Sequence, residues 1–258
     1  MPKNKGFEFT PVFFSYTSGE IGLYFVQSGV VMNHGIDYRH SIEIMRELIV
    51  ESKNASGFHT GVITGGETRD WIFSNPTANL MKLPSTMIYK DGRMVGASLS
   101  DKATTHVADI LNEGSSPKNY WVPAIKMAGG KIKDIFFFVD RKEGGGSVMD
   151  ELGLSYYSAV PLDSYAWSYL LKMNVVDREI YESLRERSED KKAWAYKVLR
   201  SEAGRNELGR LIKDPLTRKK GINILEKGYP ELREELIDRL KGINLKILDL
   251  RFEKLSFK

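Results

Sequence analysis

Apolar residues recur with two different spacings along the chain, and the spacing changes near residue 165. Before that point, short apolar or alternating runs bounded by Gly and Pro read as strands, with amphipathic stretches between them. Residues 8–16 (EFTPVFFSY) are aromatic and β-prone, with Pro11 marking a bend or an edge. SGEIGLYFVQSG (18–29) reads as a turn and then a strand. From Asp37 to Lys53, the residues Ile42, Met45, Leu48 and Ile49 fall at helical spacing among charges. This predicts an amphipathic helix with Asp37 or Ser41 as N-cap. FHTGVIT (58–64) is the next predicted strand, ended by a tight loop at Gly65-Gly66, and a helix broken near Pro76 follows. TMIYK (86–90) and residues 104–109 predict two further strands, and KNYWVPAIKMAGG a helix stopped at Gly129-Gly130. DIFFFVD (134–140) is continuously apolar between its acids, as strands covered on both faces are. Gly144 to Gly146 read as a flexible turn, and LSYYSAVPL (154–162) as a short last strand.

Strands alternating with helices predict an α/β domain, 1–168, with a mostly parallel sheet flanked by helices. The remainder, 169–258, is expected to be a charged helical extension. From 165 onward the chain carries 22 Lys and Arg against 16 Asp and Glu. REIYESLRERSEDKKAWAYKVLR (178–200) sets Ile180, Leu184, Trp194, Val198 and Leu199 on a stripe among i,i+4 charge pairs. KGINIL (220–225) and KGINLKIL (241–248) bracket ELREELIDRL. A single recurrence reads as a helix-stop signal, not a repeat architecture. The basic excess fits the solvated side of packed helices, with a nucleic-acid face as the alternative.

Composition narrows the chemistry. A length of 258 residues is ample for a full core. There is no cysteine, which removes disulfides, thiolate metal sites and thiol catalysis. His34, His40, His59 and His106 show no ligand spacing and read as surface or satisfied core residues. A net charge of +4 does not by itself imply nucleic acid, and no nucleic-acid partner is expected. IFFFV at 135–139 is far too short to span a bilayer, and no signal-peptide pattern is present, so a soluble cytoplasmic protein is expected.

One stretch concentrates candidate chemistry. TTHVADILNEGSS (104–116) runs from a β-type segment through Asp109 into a Gly-Ser-Ser turn and a helix. Backbone N–H groups at such a strand-to-helix loop can hold a phosphate, and a carboxylate just before it can take a sugar hydroxyl or a Mg²⁺-bound water. An ordinary strand-to-helix connection has the same appearance.

Five pieces, taken in order, resemble the orotate phosphoribosyltransferases of the type I phosphoribosyltransferase fold, over roughly residues 8 to 170. SGEIGLYFVQSG is similar to the family's Ser-Gly…Tyr-Phe segment over the pyrimidine. TGVITGG (60–66) sits at its pyrophosphate loop, and MIYKDG (87–92) at the strand leading into its mobile catalytic loop. VADILNEGSS (107–116) is in register with its diphosphoribosyl-binding signature. AGGKIKDIFFFVDRKEGG (128–145) resembles its later strand ending in Asp-Arg-x-Glu-Gly-Gly.

The resemblance implies a transferase that joins an orotate-like base to a phosphoribosyl group taken from phosphoribosyl diphosphate, with Mg²⁺, as a homodimer. Asp109 and Lys90 are then the catalytic candidates. Arg141, Tyr24, Phe25, Gly65, Gly66, Asn112, Glu113, Gly114, Ser115 and Ser116 are the substrate-binding candidates. Arg141 is expected on the base's carboxylate and Gly114 to Ser116 on the 5′-phosphate. Mg²⁺ is expected to ride on the donor and to meet Asp109 through water, with no direct side-chain ligand.

The chain also departs from the pattern. Ala108-Asp109 replaces two adjacent acids, Asn112-Glu113 replaces Thr-Thr, and Ile21 and Gly65 stand where lysines are usual. The segment after Lys90 is short and keeps only Lys90, Arg93 and Lys102 as cations. The second expectation is therefore a catalytically degenerate relative that binds a nucleotide, a phosphate or a protein, working through its helical extension.

Overall fold

A computed structural model describes residues 6–16, 18–57 and 59–241. Phe58 of the strand expected at 58–64, and the second echo segment beyond Lys241, lie outside the described residues. Contacts divide the chain into two units, one of Gly6 and Gln27–Ala166, the other of Phe7–Val26 and the described residues from Trp167 onward.

In the second unit, β1 (Phe7–Ser15) and β2 (Ile21–Val26) form an antiparallel pair whose register shifts between Phe9 and Phe14, where Pro11 sits. Proline has no N–H for a ladder bond, so an irregularity there costs little. The first unit opens with a 3-10 turn, Ser28–Asn33, and helix α1 (Gly35–Ser56). The sheet follows: β3 (Val62–Gly66), β4 (Ser85–Ile88), β5 (Met94–Gly96), β6 (Ala103–Leu111), β7 (Lys131–Asp140) and β8 (Ser155–Pro161). Its order is β5-β4-β3-β6-β7-β8, with only β5 antiparallel to its neighbour. The mostly parallel α/β sheet flanked by helices is as expected. β6 and β7 are buried along most of their length, because helices cover a parallel sheet on both faces. Strands β4, β3, β6, β7 and β8 end at one edge, which positions the groups from Lys90 to Arg141 considered below.

Helix α1 begins at Gly35, with His34 in the N-cap position, so Asp37 lies in the first turn and Ser41 inside the helix. Helix α2 (Asp70–Leu80) is not broken at Pro76. Proline removes the N–H that would bond to the carbonyl of Ile72, and the Tyr38 hydroxyl of α1 donates to that carbonyl instead, at 2.6 Å. Gly65 and Gly66 are strand residues, not a loop. A Cβ on Gly65 would strike Ser74, and one on Gly66 would strike Trp121, so both glycines admit packing partners. A π-turn (Pro117–Trp121) leads into α3 (Val122–Met127). The turn expected at 144–146 is the start of α4 (Gly145–Glu151).

Helix α5 (Ser164–Lys172) leads out of the first unit. The second unit continues with α6 (Arg178–Glu189), α7 (Lys191–Arg200), α8 (Glu202–Lys213), α9 (Arg218–Asn223) and α10 (Arg233–Lys241). Asp177, Asp190 and Ser201 each accept a backbone N–H of the helix they precede, so the stretch 178–200 is two helices broken at Asp190. Leu184, Trp194 and Leu199 are buried, as the stripe predicts, while Ile180 and Val198 are half-buried. The Tyr229 hydroxyl accepts the Ile21 N–H at 3.3 Å and ties the strand pair to this helical unit. No helix among the described residues is long and apolar enough to cross a membrane.

Candidate functional site

The carboxyl ends of β4, β3, β6 and β7 bring Lys90, the 67–69 loop, Asp109, the 112–116 loop and Arg141 to one edge of the first unit. Parallel pairing enforces this: Gly66 lies opposite Ile88, and Leu111 opposite Asp140. Ligands in open α/β sheets bind outside such strand ends.

Asp109 is buried at the tip of β6. Its Oδ2 accepts from Ser28 Oγ at 2.9 Å and lies 3.3 Å from Arg69 Nε. Its backbone N–H donates to Asp70 Oδ1 at 2.9 Å. Burial, reinforced by the negative charge of Asp70, pushes the Asp109 carboxyl up to about 7, against the opposing pull of Arg69 and Ser28.

Arg69 follows β3 by three residues. Its side chain is 57% exposed, so the guanidinium touches Asp109 and still faces solvent. Lys90 is exposed in the turn after β4, and its N–H donates to Glu67 Oε2 at 2.9 Å, which links that turn to the 67–69 loop.

Two of the resembling motifs interlock. Gly114 adopts φ +76 and packs against Val148 and Met149 of α4, where a Cβ would meet Val148 at 2.9 Å. Gly145, at the start of α4, packs in turn on Leu111 and the carbonyl of Asn112. The Gly-Gly after Asp-Arg-x-Glu is thus what lets a helix close onto the 112–116 loop. That loop runs into helical turns from Ser115, a backbone geometry that offers N–H groups to an anion. Glu113 and Ser115 are exposed beside it, and Ser116 is half-buried.

Arg141 already has partners within the chain. Its N–H donates to the Leu111 carbonyl, and its guanidinium to Asn112 Oδ1 at 3.3 Å and Glu143 Oε1 at 3.1 Å, with the side chain only 10% exposed. A carboxylate already occupies part of its fork. Tyr24 and Phe25 belong to the second unit. Tyr24 is 1% exposed with its ring packed on Phe7, Phe9 and Trp167, so it is a core aromatic and not a surface for a base. Gly65 and Gly66 face packed side chains, and the Gly65 carbonyl accepts from Trp71 Nε1 while the Gly66 N–H donates to Asp70.

Sequence reasoning missed Ser28, Asp70 and Glu143, and passed over Arg69. Arg69 and Asp70 were visible as the only charges closing the GGETRD turn besides Glu67, whereas Ser28 carried no local signal. Among the described residues no cluster of three His, Cys, Asp or Glu could hold a metal ion.

No family model matches the chain. An orotate phosphoribosyltransferase from Staphylothermus marinus is 24% identical over 173 residues, 64% of this chain and 80% of the relative. Among solved structures, an orotate phosphoribosyltransferase from Francisella tularensis superposes with a TM-score of 0.58 at 17% identity, over 72% of this chain and 94% of the other. One from Aeropyrum pernix gives 0.55 at 15%, over 67% and 96%. The UMP synthase of Leishmania donovani gives 0.61 at 15% over 71% of this chain, which spans only 39% of that longer protein. In architecture the chain is orotate phosphoribosyltransferase-like, built on the type I phosphoribosyltransferase fold.

Proposed function

We propose that the chain transfers a 5-phosphoribosyl group from phosphoribosyl diphosphate to an orotate-like base. The observation that carries this reading is the placement of Asp109, exposed Arg69 and the 112–116 loop around the tip of β6, with Arg141 on the adjacent tip of β7. In the reaction the bond from ribose C1 to the diphosphate oxygen breaks, and a bond from C1 to a ring nitrogen of the base forms. Little covalent work falls to the protein, so positioning and charge dominate.

Asp109 would hold a ribose hydroxyl, the helical start at Ser115 and Ser116 the 5′-phosphate, and Arg69 the departing diphosphate. Lys90 would approach the same anion from the neighbouring turn. Arg141 would meet the base's carboxylate, which would compete with Glu143 and Asn112 for its guanidinium. Mg²⁺ would arrive on the diphosphate, which neutralises charge that the chain does not. A homodimer in the cytoplasm belongs to the same reading.

Incubation with phosphoribosyl diphosphate, orotate and Mg²⁺ should yield orotidylate and diphosphate, and Asp109→Ala should abolish both. A second reading is favoured by the Arg141–Glu143 pair and by Glu113 beside the phosphate loop. In it, the fold has lost turnover and binds a nucleotide, a phosphate or a protein partner. Donor binding without product would select that second reading, and no product together with no binding heat would remove the transferase.

A further inference from the structure

Asp70 belongs to none of the resembling motifs, yet it sits at the centre of the edge. It is 7% exposed. Its Oδ2 accepts the Gly66 N–H at 3.0 Å and its Oδ1 the Asp109 N–H at 2.9 Å. One side chain therefore joins the tip of β3, from which the 67–69 loop departs, to the tip of β6 that bears Asp109. Behind it lies His106, fully buried, with Nε2 3.7 Å from Asp70 Oδ2 and no hydrogen-bond partner of its own. The other ring nitrogen, Nδ1, is 3.0 Å from Thr64 Oγ1, and Trp121 stacks on the ring at 6.3 Å. A carboxylate opposite Nε2 favours the tautomer protonated there, in which the Thr64 hydroxyl turns from the Thr105 carbonyl, 3.4 Å away, to donate to the nearer Nδ1. Position 108, where the resembling family has the first of two adjacent acids, is alanine; a second carboxyl reaches Asp109 from α2 instead.

We propose that Asp70, backed by His106, is a positioning residue for Asp109, supplying across space the second acid of the edge and fixing the 67–69 loop against it. What is positioned rests on the transferase reading; the carboxyl pairing does not. Asp109 is faced by Ser28 from the 3-10 turn, Arg69 from the loop and Asp70 from α2, and Asp70 in turn by His106 from β6. The Asp70 carboxylate sits against the Asp109 backbone, and its negative charge adds to burial in pushing the Asp109 carboxyl upward. Removing the charge of Asp70 leaves Asp109 opposite Arg69 alone.

Carboxyl ¹³C and imidazole ¹⁵N NMR on the full chain, without ligand, test the pairing. The wild-type protein should show His106 protonated at Nε2, and Asp70→Asn should lower the Asp109 midpoint by a pH unit or more. An Nδ1-protonated His106, or an unmoved Asp109 midpoint, overturns the proposal. The tautomer is read in the wild-type chain, so the test survives if Asp70→Asn does not fold. Titration with phosphoribosyl diphosphate from pH 5 to 9 separates the two claims. Asp70→Asn should weaken binding at least tenfold and displace its pH midpoint downward. A wild-type chain that binds no donor, yet shows the NMR signature, defeats the transferase reading and leaves the pairing intact.

Discussion

Arg141 Nη2 lies 3.1 Å from Glu143 Oε1, and both side chains are almost buried, so the guanidinium expected to receive a ligand carboxylate already holds one. Charge-assisted bonds of this kind are among the stronger polar contacts, and an incoming carboxylate has to compete with it. Glu143→Gln keeps the shape and removes the charge. Calorimetric titration with orotate should show about tenfold tighter binding in this variant, ~1.4 kcal/mol, and none in Arg141→Ala. Equal affinity in Glu143→Gln and wild type would mean that Arg141 is a structural partner of Glu143 and does not face the base.

The carboxyl of Asp109 gives the fold a pH dependence opposite to that of an acid whose folded-state value is lowered. Its ordinary value is 3.8, and burial beside Asp70 raises it to about 7 in the folded chain. Between those two values the folded state keeps a proton that the unfolded state has released, so stability falls as pH rises and the loss is complete above about 7. The shift corresponds to at most on the order of 4 kcal/mol. Melting temperatures measured from pH 4.5 to 8 should decline through this window in the wild type, and Asp109→Asn should flatten the decline. An identical slope in the variant would place the titrating group elsewhere.

Much of the sheet was legible because its signal is local. β7 carries the unbroken apolar run Ile135–Val139, as a doubly covered strand does, and β6 carries its acid at the end of a β-prone segment. Errors arose where a distant residue decides the outcome. Gly65-Gly66 looks like a loop until Ser74 and Trp121 are seen to need the space, and Gly144 to Gly146 look like a turn until α4 is seen against Gly114. The candidate site divides the same way. Asp109 and Arg141 follow from motif register, but Ser28 and Asp70 reach Asp109 from 81 and 39 residues away, and no local pattern announces them.

On another part of the first unit, Lys53 of α1 pairs with Asp134 of β7, and Asp134 also accepts from Thr105 at 2.9 Å. Both charges are nearly buried, and burial pushes the Lys53 ammonium below its ordinary value despite the partner. Removing one member strands the other in a poorly solvated place. Lys53→Met should cost about 3 kcal/mol in denaturant unfolding, while Lys53→Met with Asp134→Asn should recover a substantial part of it. Equal losses in the single and double variants would show that packing, not the stranded carboxylate, sets the cost.

Tyr38 and Pro76 make a coupled pair that can be measured directly. Pro76 leaves the Ile72 carbonyl of α2 without its usual helical partner, and the Tyr38 hydroxyl donates to it at 2.6 Å. Tyr38→Phe removes that donor from a partly buried carbonyl, which should cost about 1–2 kcal/mol. In a Pro76→Ala background, residue 76 regains an N–H able to bond to Ile72, so the same Tyr38→Phe change should cost only a few tenths of a kcal/mol. A double-mutant cycle by urea unfolding reads the difference as a coupling of about 1 kcal/mol. Additive losses would mean that α2 tolerates Pro76 by bending its backbone, with the tyrosine a bystander.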